Sequence, residues 1–255
     1  MSPAEIESRI GLRDDLESSG RWLFRHRGSL PLLLVPAVML ALRGFTYPLG
    51  SHALDVAWDL FCLSVGLLGL GIRIVTAGFA PSGTSSRDTN SPKATLLNTS
   101  GMYSLVRHPL YLGNFFMWMA PALLPRSLPL IVIIVLAFWL YYERIMLAEE
   151  AFLRRAFCEA FEEWAQRTPT FFPALKHWQQ PPLPFSWRTA LRREYSGLFA
   201  LITTLTIVEV AAEFARSGTF QLDMYWRVLF VTSAAVYVAL RLLKRRTRIL
   251  YVPGR

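Results

Sequence analysis

Six apolar stretches divide the chain, at residues 30–50, 53–79, 110–124, 128–142, 196–215 and 222–243. An α-helix needs about 20 residues to cross the bilayer core, so the longer stretches read as membrane-spanning helices. The third and fourth are short, about 22 Å each at 1.5 Å per residue, and only Pro125, Arg126 and Ser127 separate them. That pattern predicts a tight helical hairpin, its legs extended by flanking helix on the cytoplasmic side. The first stretch follows Arg21, Arg25 and Arg27 and has the look of a signal-peptide core. The acidic residues ahead of it (Glu5, Glu7, Asp14, Asp15, Glu17) and the lack of an Ala-x-Ala site argue against that alternative.

Between the fourth and fifth stretches the pattern changes to helical periodicity. Leu153, Phe157, Phe161 and Trp164 recur at intervals of four, four and three and share one face. The residues around them are good helix formers, and Thr168, Pro169 and Pro173 end the helix. The expected architecture is therefore all-α: a polytopic bundle of about six spans with a short helical hairpin and a cytoplasmic amphipathic helix. Four segments follow. Residues 1–29 are a cytoplasmic N-terminal segment and 30–80 hold two spans. Residues 81–175 form a core with the chemistry, and 176–255 hold a linker, two further spans and a basic tail.

Composition agrees with a membrane protein: 53% of residues are hydrophobic and 18% charged, against about 25% charged in soluble domains. The net charge is +9, and all but three of the 27 basic residues are arginine. With this hydropathy the basic excess points to anionic membrane lipids rather than nucleic acid. Its distribution sets the topology. Five basic residues precede residue 30, three lie in 80–109, eight in 143–195 and five after Leu243, while the intervening loops carry only Arg126 and Arg216. By the positive-inside rule both termini and both long polar segments are cytoplasmic, so those segments can build one site facing the cytoplasm. Cys62 and Cys158 form no metal-binding or disulfide framework, and no metal is expected.

The first long segment carries the string Gly101-Met-Tyr-Ser-Leu-Val-Arg-His-Pro-Leu-Tyr-Leu-Gly113. Pro109 suits the first position of a helix, and amides at a helix start attract anions. Arg107 adds a fixed planar donor fork and His108 a group that titrates near neutrality. Gly113 lacks a side chain that would bar a ligand. Singly, these residues read as a juxtamembrane Arg-His pair beside a span; together they favour a binding site. In the second segment Glu150 heads the apolar stripe, with Glu143 seven residues earlier. A carboxylate there needs a partner. Two partners stand open, Arg154 four residues later and a cationic ligand. Glu149 points about 100° away.

At these residues the chain resembles the integral membrane methyltransferases of the isoprenylcysteine carboxyl methyltransferase and phospholipid methyltransferase type. The resemblance rests on Gly101, Tyr103, Val106-Arg107-His108-Pro109, Tyr111 and Gly113. It continues in Arg144-Ile145, Glu149-Glu150, Leu153, Phe157, Phe161, Trp164 and Thr168-Pro169, and covers roughly residues 66–174. Cys158 departs from it, where the family usually has glycine, and Trp164 stands where tyrosine is usual. The resemblance implies S-adenosylmethionine as methyl donor, held by Tyr103, Arg107, His108, Pro109, Tyr111, Gly113 and Glu150, with Glu149 and Glu150 facing it. The acceptor is then a lipid or lipidated substrate entering from the bilayer. An anionic oxygen needs no general base, only a cation such as Arg144 to orient it. An amine would need a base, for which Glu149 is the candidate. Catalytic roles thus fall on Arg144, Glu149 and Glu150.

Two other classes compete. A membrane sterol or enone reductase using NADPH has a related helical core, but Glu159-Ala160-Phe161 stands where its Lys-Tyr-Gly is expected. A transporter would use ionisable residues within spans, here Arg43, Asp55, Asp59, Arg73, Glu209, Glu213 and Arg227. No inverted repeat accompanies them.

Overall fold

The computed structural model describes residues 11–84 and 94–255, and the described residues form an all-helical membrane protein without strands. Residues 1–10 of the N-terminal segment and 85–93 of the 80–109 segment lie outside them. Helix α1 (Leu12–Arg25) precedes a broken stretch containing α2 (Val35–Ala41). Helix α3 (His52–Phe79) runs to the single-turn α4 (Met102–Leu105), followed by α5 (Pro109–Leu123) and α6 (Leu128–Arg167). Helices α7 (Trp187–Ser217) and α8 (Met224–Arg246) complete the bundle.

Four of these helices, α3, α6, α7 and α8, are long and apolar enough to cross a membrane, and a bent N-terminal pair raises the number to five. The 15-residue α5 is the short leg of the expected hairpin, so about six spans is a fair description. The 30–50 stretch is not one straight helix. It divides into 3-10 turns at Leu30–Leu34 and Leu42–Gly44 around α2, and the chain bends by 92° between α1 and this stretch. Pro31, Pro36 and Pro48 interrupt it, since each lacks a backbone donor and clashes with the turn before it.

The amphipathic helix of 143–164 continues the fourth span as far as Phe157, and the backbone kinks at Cys158. The stretch from Leu128 to Phe157 alone is about 45 Å long, half again the ~30 Å bilayer core. Its polar half therefore projects from the membrane, and α1 lies along it. Gly20 makes that approach possible, because a Cβ there would stand 2.0 Å from the Arg144 carbonyl oxygen. Glu17 binds Arg155 at 2.8 Å across the same interface, and Phe24 enters the core beside Phe138, Tyr142 and Ile145.

Helices α3 and α5 cross as closely as backbones allow. A Cβ on Gly69 would meet the Gly113 carbonyl at 2.4 Å, and one on Gly113 would meet that of Gly69 at 2.7 Å. In lipid, small residues at a crossing replace the missing hydrophobic drive with tight packing. A second core, with Cys62, Leu63, Ala120, Leu205 and Trp226, joins α3 and α5 to α7 and α8.

The departure at Cys158 has a structural cost. Its backbone sits at φ 45°, ψ −119° inside α6, a region essentially reserved for glycine. Replacing Cys158 by glycine removes that strain. We expect stabilisation of about 1 kcal/mol, after allowing for glycine's entropy, read as a rise of roughly 2–4 °C in thermal midpoint. An unchanged or lower midpoint would contradict the strain.

Candidate active site

The string from Gly101 to Gly113 is shaped by the segment that follows α6. Gly101 takes φ 59°, and its amide donates to the Gln179 carbonyl at 2.9 Å. The Arg107 amide donates to the Pro169 carbonyl at 2.8 Å, and that of Ala174 to Leu105 at 2.9 Å. The Trp164 indole donates to the Tyr103 carbonyl at 2.9 Å. These bonds strap the α4 turn against the end of α6 and aim Arg107 and His108 at Glu149 and Glu150.

Glu150 takes both motif residues. Arg107 Nη1 donates to its Oε2 at 2.8 Å and His108 Nε2 meets its Oε1 at 3.0 Å. Arg107 Nη2 also donates to the Thr170 hydroxyl, while Arg107 Nε is buried with no partner among the described residues. Glu149 stands on the other side of the imidazole. It lies 3.6 Å from His108 Nδ1 and accepts from the Tyr111 hydroxyl at 2.7 Å. Tyr111 stacks on His108 with centroids 5.6 Å apart. Burial alone would lower the His108 pKa, but hydrogen bonds and charge from Glu149 and then Glu150 outweigh it and raise it above the ordinary value. Burial, followed by the charge of Glu149, raises the Tyr103 phenol.

These groups open into a cavity of about 1230 Å³. Tyr103, Arg107, His108, Pro109, Tyr111 and Glu149 line it, as do Leu153 and Trp164 from the apolar stripe. Basic side chains line it as well: Arg73 of α3, Arg192 and Arg193 of α7, and Lys244 and Arg248 at the end of α8. Arg73 is fixed by Glu194 at 2.8 and 3.1 Å and by Asn114 at 2.6 Å, and Asn114 in turn donates to Tyr142 at 2.8 Å.

Several expectations change. Gly113 faces Gly69 and Arg73 of α3 rather than the cavity, so its missing side chain serves helix packing. Arg144 stands outside the cavity, its carbonyl beneath Gly20. Glu150 sits behind the cavity wall, and Glu149 is the carboxylate that faces it. Arg154 does not partner Glu150 but bonds Glu162 one turn past the Cys158 break. The helix start is also less open than expected, because the Tyr111 amide already donates to the His108 carbonyl at 3.1 Å. Thr170, Asn114, Glu194 and the basic wall were not foreseen. The only sequence signal for them was Arg73, a charge inside a span.

Comparison with known proteins settles the lineage. A family model described as phospholipid methyltransferase matches residues 61–160. The protein-S-isoprenylcysteine O-methyltransferase of Schizosaccharomyces pombe is 28% identical over 116 residues, covering 44% of this chain and 49% of that protein. Over residues 61–160 the chain belongs to the phospholipid methyltransferase family. Two further relatives cover more of the chain. A nickel-cobalt-cadmium resistance protein of Alcaligenes xylosoxydans xylosoxydans is 34% identical over 60% of this chain and 68% of its own length. A cobalt-zinc-cadmium resistance protein of Cupriavidus metallidurans is 35% identical over 60% and 67%. No solved structure matches. The methyltransferase match thus spans α3 to α6 and contains the whole Arg107–His108–Glu149–Glu150 cluster, whereas the basic wall of α7 and α8 lies beyond residue 160.

Two outcomes test the cluster. Glu150→Gln leaves Arg107 half-paired and should cost about 1.5–3 kcal/mol of stability, whereas Arg154→Ala, at an exposed pair, should cost about 0–1 kcal/mol. Because the folded-state pKa of His108 is raised, its contribution is complete below about pH 6.5 and is lost as pH rises through the folded value. The stability difference between the wild type and His108→Gln should therefore shrink with rising pH in denaturant titrations; parallel profiles would contradict the assignment.

Proposed function

We propose that this chain transfers a methyl group from S-adenosylmethionine to an anionic oxygen, a carboxylate or phosphate, on a lipid or lipidated substrate that enters from the bilayer. One observation carries the reading: a single cavity has a carboxylate–aromatic wall at Glu149, Tyr111 and His108 and a basic wall at Arg73, Arg192, Arg193, Lys244 and Arg248. Its volume exceeds the ~300–1,000 Å³ of ordinary ligand pockets, room for donor and acceptor together.

The donor set suits the methyl donor. Glu149 and the aromatic faces favour a sulfonium and an ammonium, and the positive charge of Arg107 in the cavity lining suits its carboxylate. When bound, S-adenosylmethionine supplies an electrophilic methyl on that sulfonium. Glu149 is the cation-facing carboxylate and Glu150 a positioning residue that holds Arg107 and His108. The cation that orients the acceptor comes from the basic wall rather than from Arg144. In-line displacement at carbon then relies on alignment and exclusion of water. Residues 81–175 supply the donor site, and 176–255 together with Arg73 the acceptor wall. By loop charge the cavity and both termini face the cytoplasm, so a cysteine at Gln179 and one at Ser217 should label from opposite sides.

The two relatives named for metal resistance suggest a physiological setting in which the modified lipid affects metal tolerance. Loss of the gene should then raise metal sensitivity, with rescue by the wild type and not by Glu149→Gln.

Isotope-labelled S-adenosylmethionine with total lipid should give a labelled lipid product. Glu149→Gln should weaken donor binding about 10- to 150-fold, the worth of a charge-assisted bond, and weaken the neutral thioether product less. Saturable binding of NADPH instead, or equal losses for donor and thioether, would overturn the reading.

A further inference from the structure

At the end of the bundle remote from the cavity, three carboxylates converge. Asp55 and Asp59 lie one turn apart on α3, Glu209 faces them from α7, and one oxygen of each lies within 4.8 Å of the others. Their exposures are 1%, 2% and 6%. Asp55 Oδ1 accepts from Arg126 Nη1 at 2.8 Å. Asp59 Oδ2 accepts from both the Tyr225 hydroxyl at 2.6 Å and the Trp226 indole at 3.1 Å. Each aspartate therefore keeps its second oxygen. Glu209 has no hydrogen-bond or ion-pair partner among the described residues, although it is buried and aimed into the cluster.

Three carboxylates against one guanidinium leave two formal negative charges in a place nearly closed to water. Isolated buried charge is costly unless something balances it. We propose that Asp55, Asp59 and Glu209 bind one divalent cation of the oxygen-preferring class. The donors are all carboxylate, with no imidazole or thiolate, which suits Mn²⁺, Mg²⁺ or Ca²⁺ over softer ions. No two of these oxygens lie more than 4.8 Å apart, within the about 4.6–5.2 Å that separates opposite oxygens of a Ca²⁺ shell with bonds of 2.3–2.6 Å. Tyr225 and Trp226 orient Asp59, and Arg126 orients Asp55, as outer groups fix the ligands of a metal.

The site is separate from the methyl-transfer reading. Asp59 and Arg73 are fourteen residues apart on α3, or about 21 Å. The same two helices frame both places: α3 and α7 meet through Asp59 and Glu209 at one end and through Arg73 and Glu194 at the other.

The test uses the full chain, purified in detergent and stripped with chelator, titrated with Mn²⁺ while the electron paramagnetic resonance of free Mn²⁺ is followed. One bound ion per chain is expected, displaced by Ca²⁺. Glu209→Gln should weaken it at least tenfold. Because Glu209 bonds nothing else, that variant should fold, which near-ultraviolet circular dichroism from Trp226 verifies. Tyr225→Phe, which removes one donor to Asp59, should weaken binding by a smaller factor. No bound Mn²⁺ at millimolar concentration, or equal binding by wild type and Glu209→Gln, overturns the proposal and assigns the balancing charge to protons. Because the readout involves no methyl transfer, it stands or fails independently of the enzymatic reading.

Discussion

Glu150 is the pin on which the candidate active site turns. A single carboxylate accepts from Arg107 through one oxygen and meets His108 through the other, joining the start of α5 to the projecting half of α6. Charge-assisted bonds of this kind are short and directional, and here they act where little water competes. Removing either side would leave a partly buried charge unmatched. With Glu150 committed to this clamp, Glu149 is left to face the cavity, held by Tyr111 and close to the same imidazole. Two adjacent carboxylates thus acquire different environments from one helical step.

The clamp works only because the helices beneath it are set closely. Gly69 and Gly113 bring α3 and α5 together, which carries Arg73 into the cavity wall beside Asn114 and Glu194. Glycine at this crossing therefore positions a charged residue directly against Gly113 of the motif, a contribution to the site that involves no contact with a ligand.

Charge is concentrated at the two ends of the bundle, and the apolar packing between them separates the groups. The cavity end gathers arginines and a lysine from α3, α7 and α8 around the motif. The far end gathers Asp55, Asp59 and Glu209, with Glu213 held by Arg216 and Tyr47 nearby. Groups that look like unrelated intramembrane charges along the chain are sorted by the fold into two opposite sets.

Hydropathy alone determined that this is an all-helical membrane protein with a short hairpin, because twenty apolar residues in lipid have almost no alternative to a helix. The string through Arg107 and His108 and the paired glutamates were equally legible, since motif spacing is a local property. The distribution of roles was not. Helical periodicity put Glu150 on the apolar face, yet whether it met Arg154, a ligand or Arg107 depended on where a separate segment was strapped. Gly113 could be read as room for a ligand until α3 was seen to fill it. Arg192, Arg193, Lys244 and Arg248 lie far in sequence from the motif and share no periodicity with it; only the packing of α7 against α3 and of α8 against α7 makes them one wall. Local pattern fixes which residues carry chemistry, whereas which of them face each other depends on contacts between distant segments that no period in the chain records.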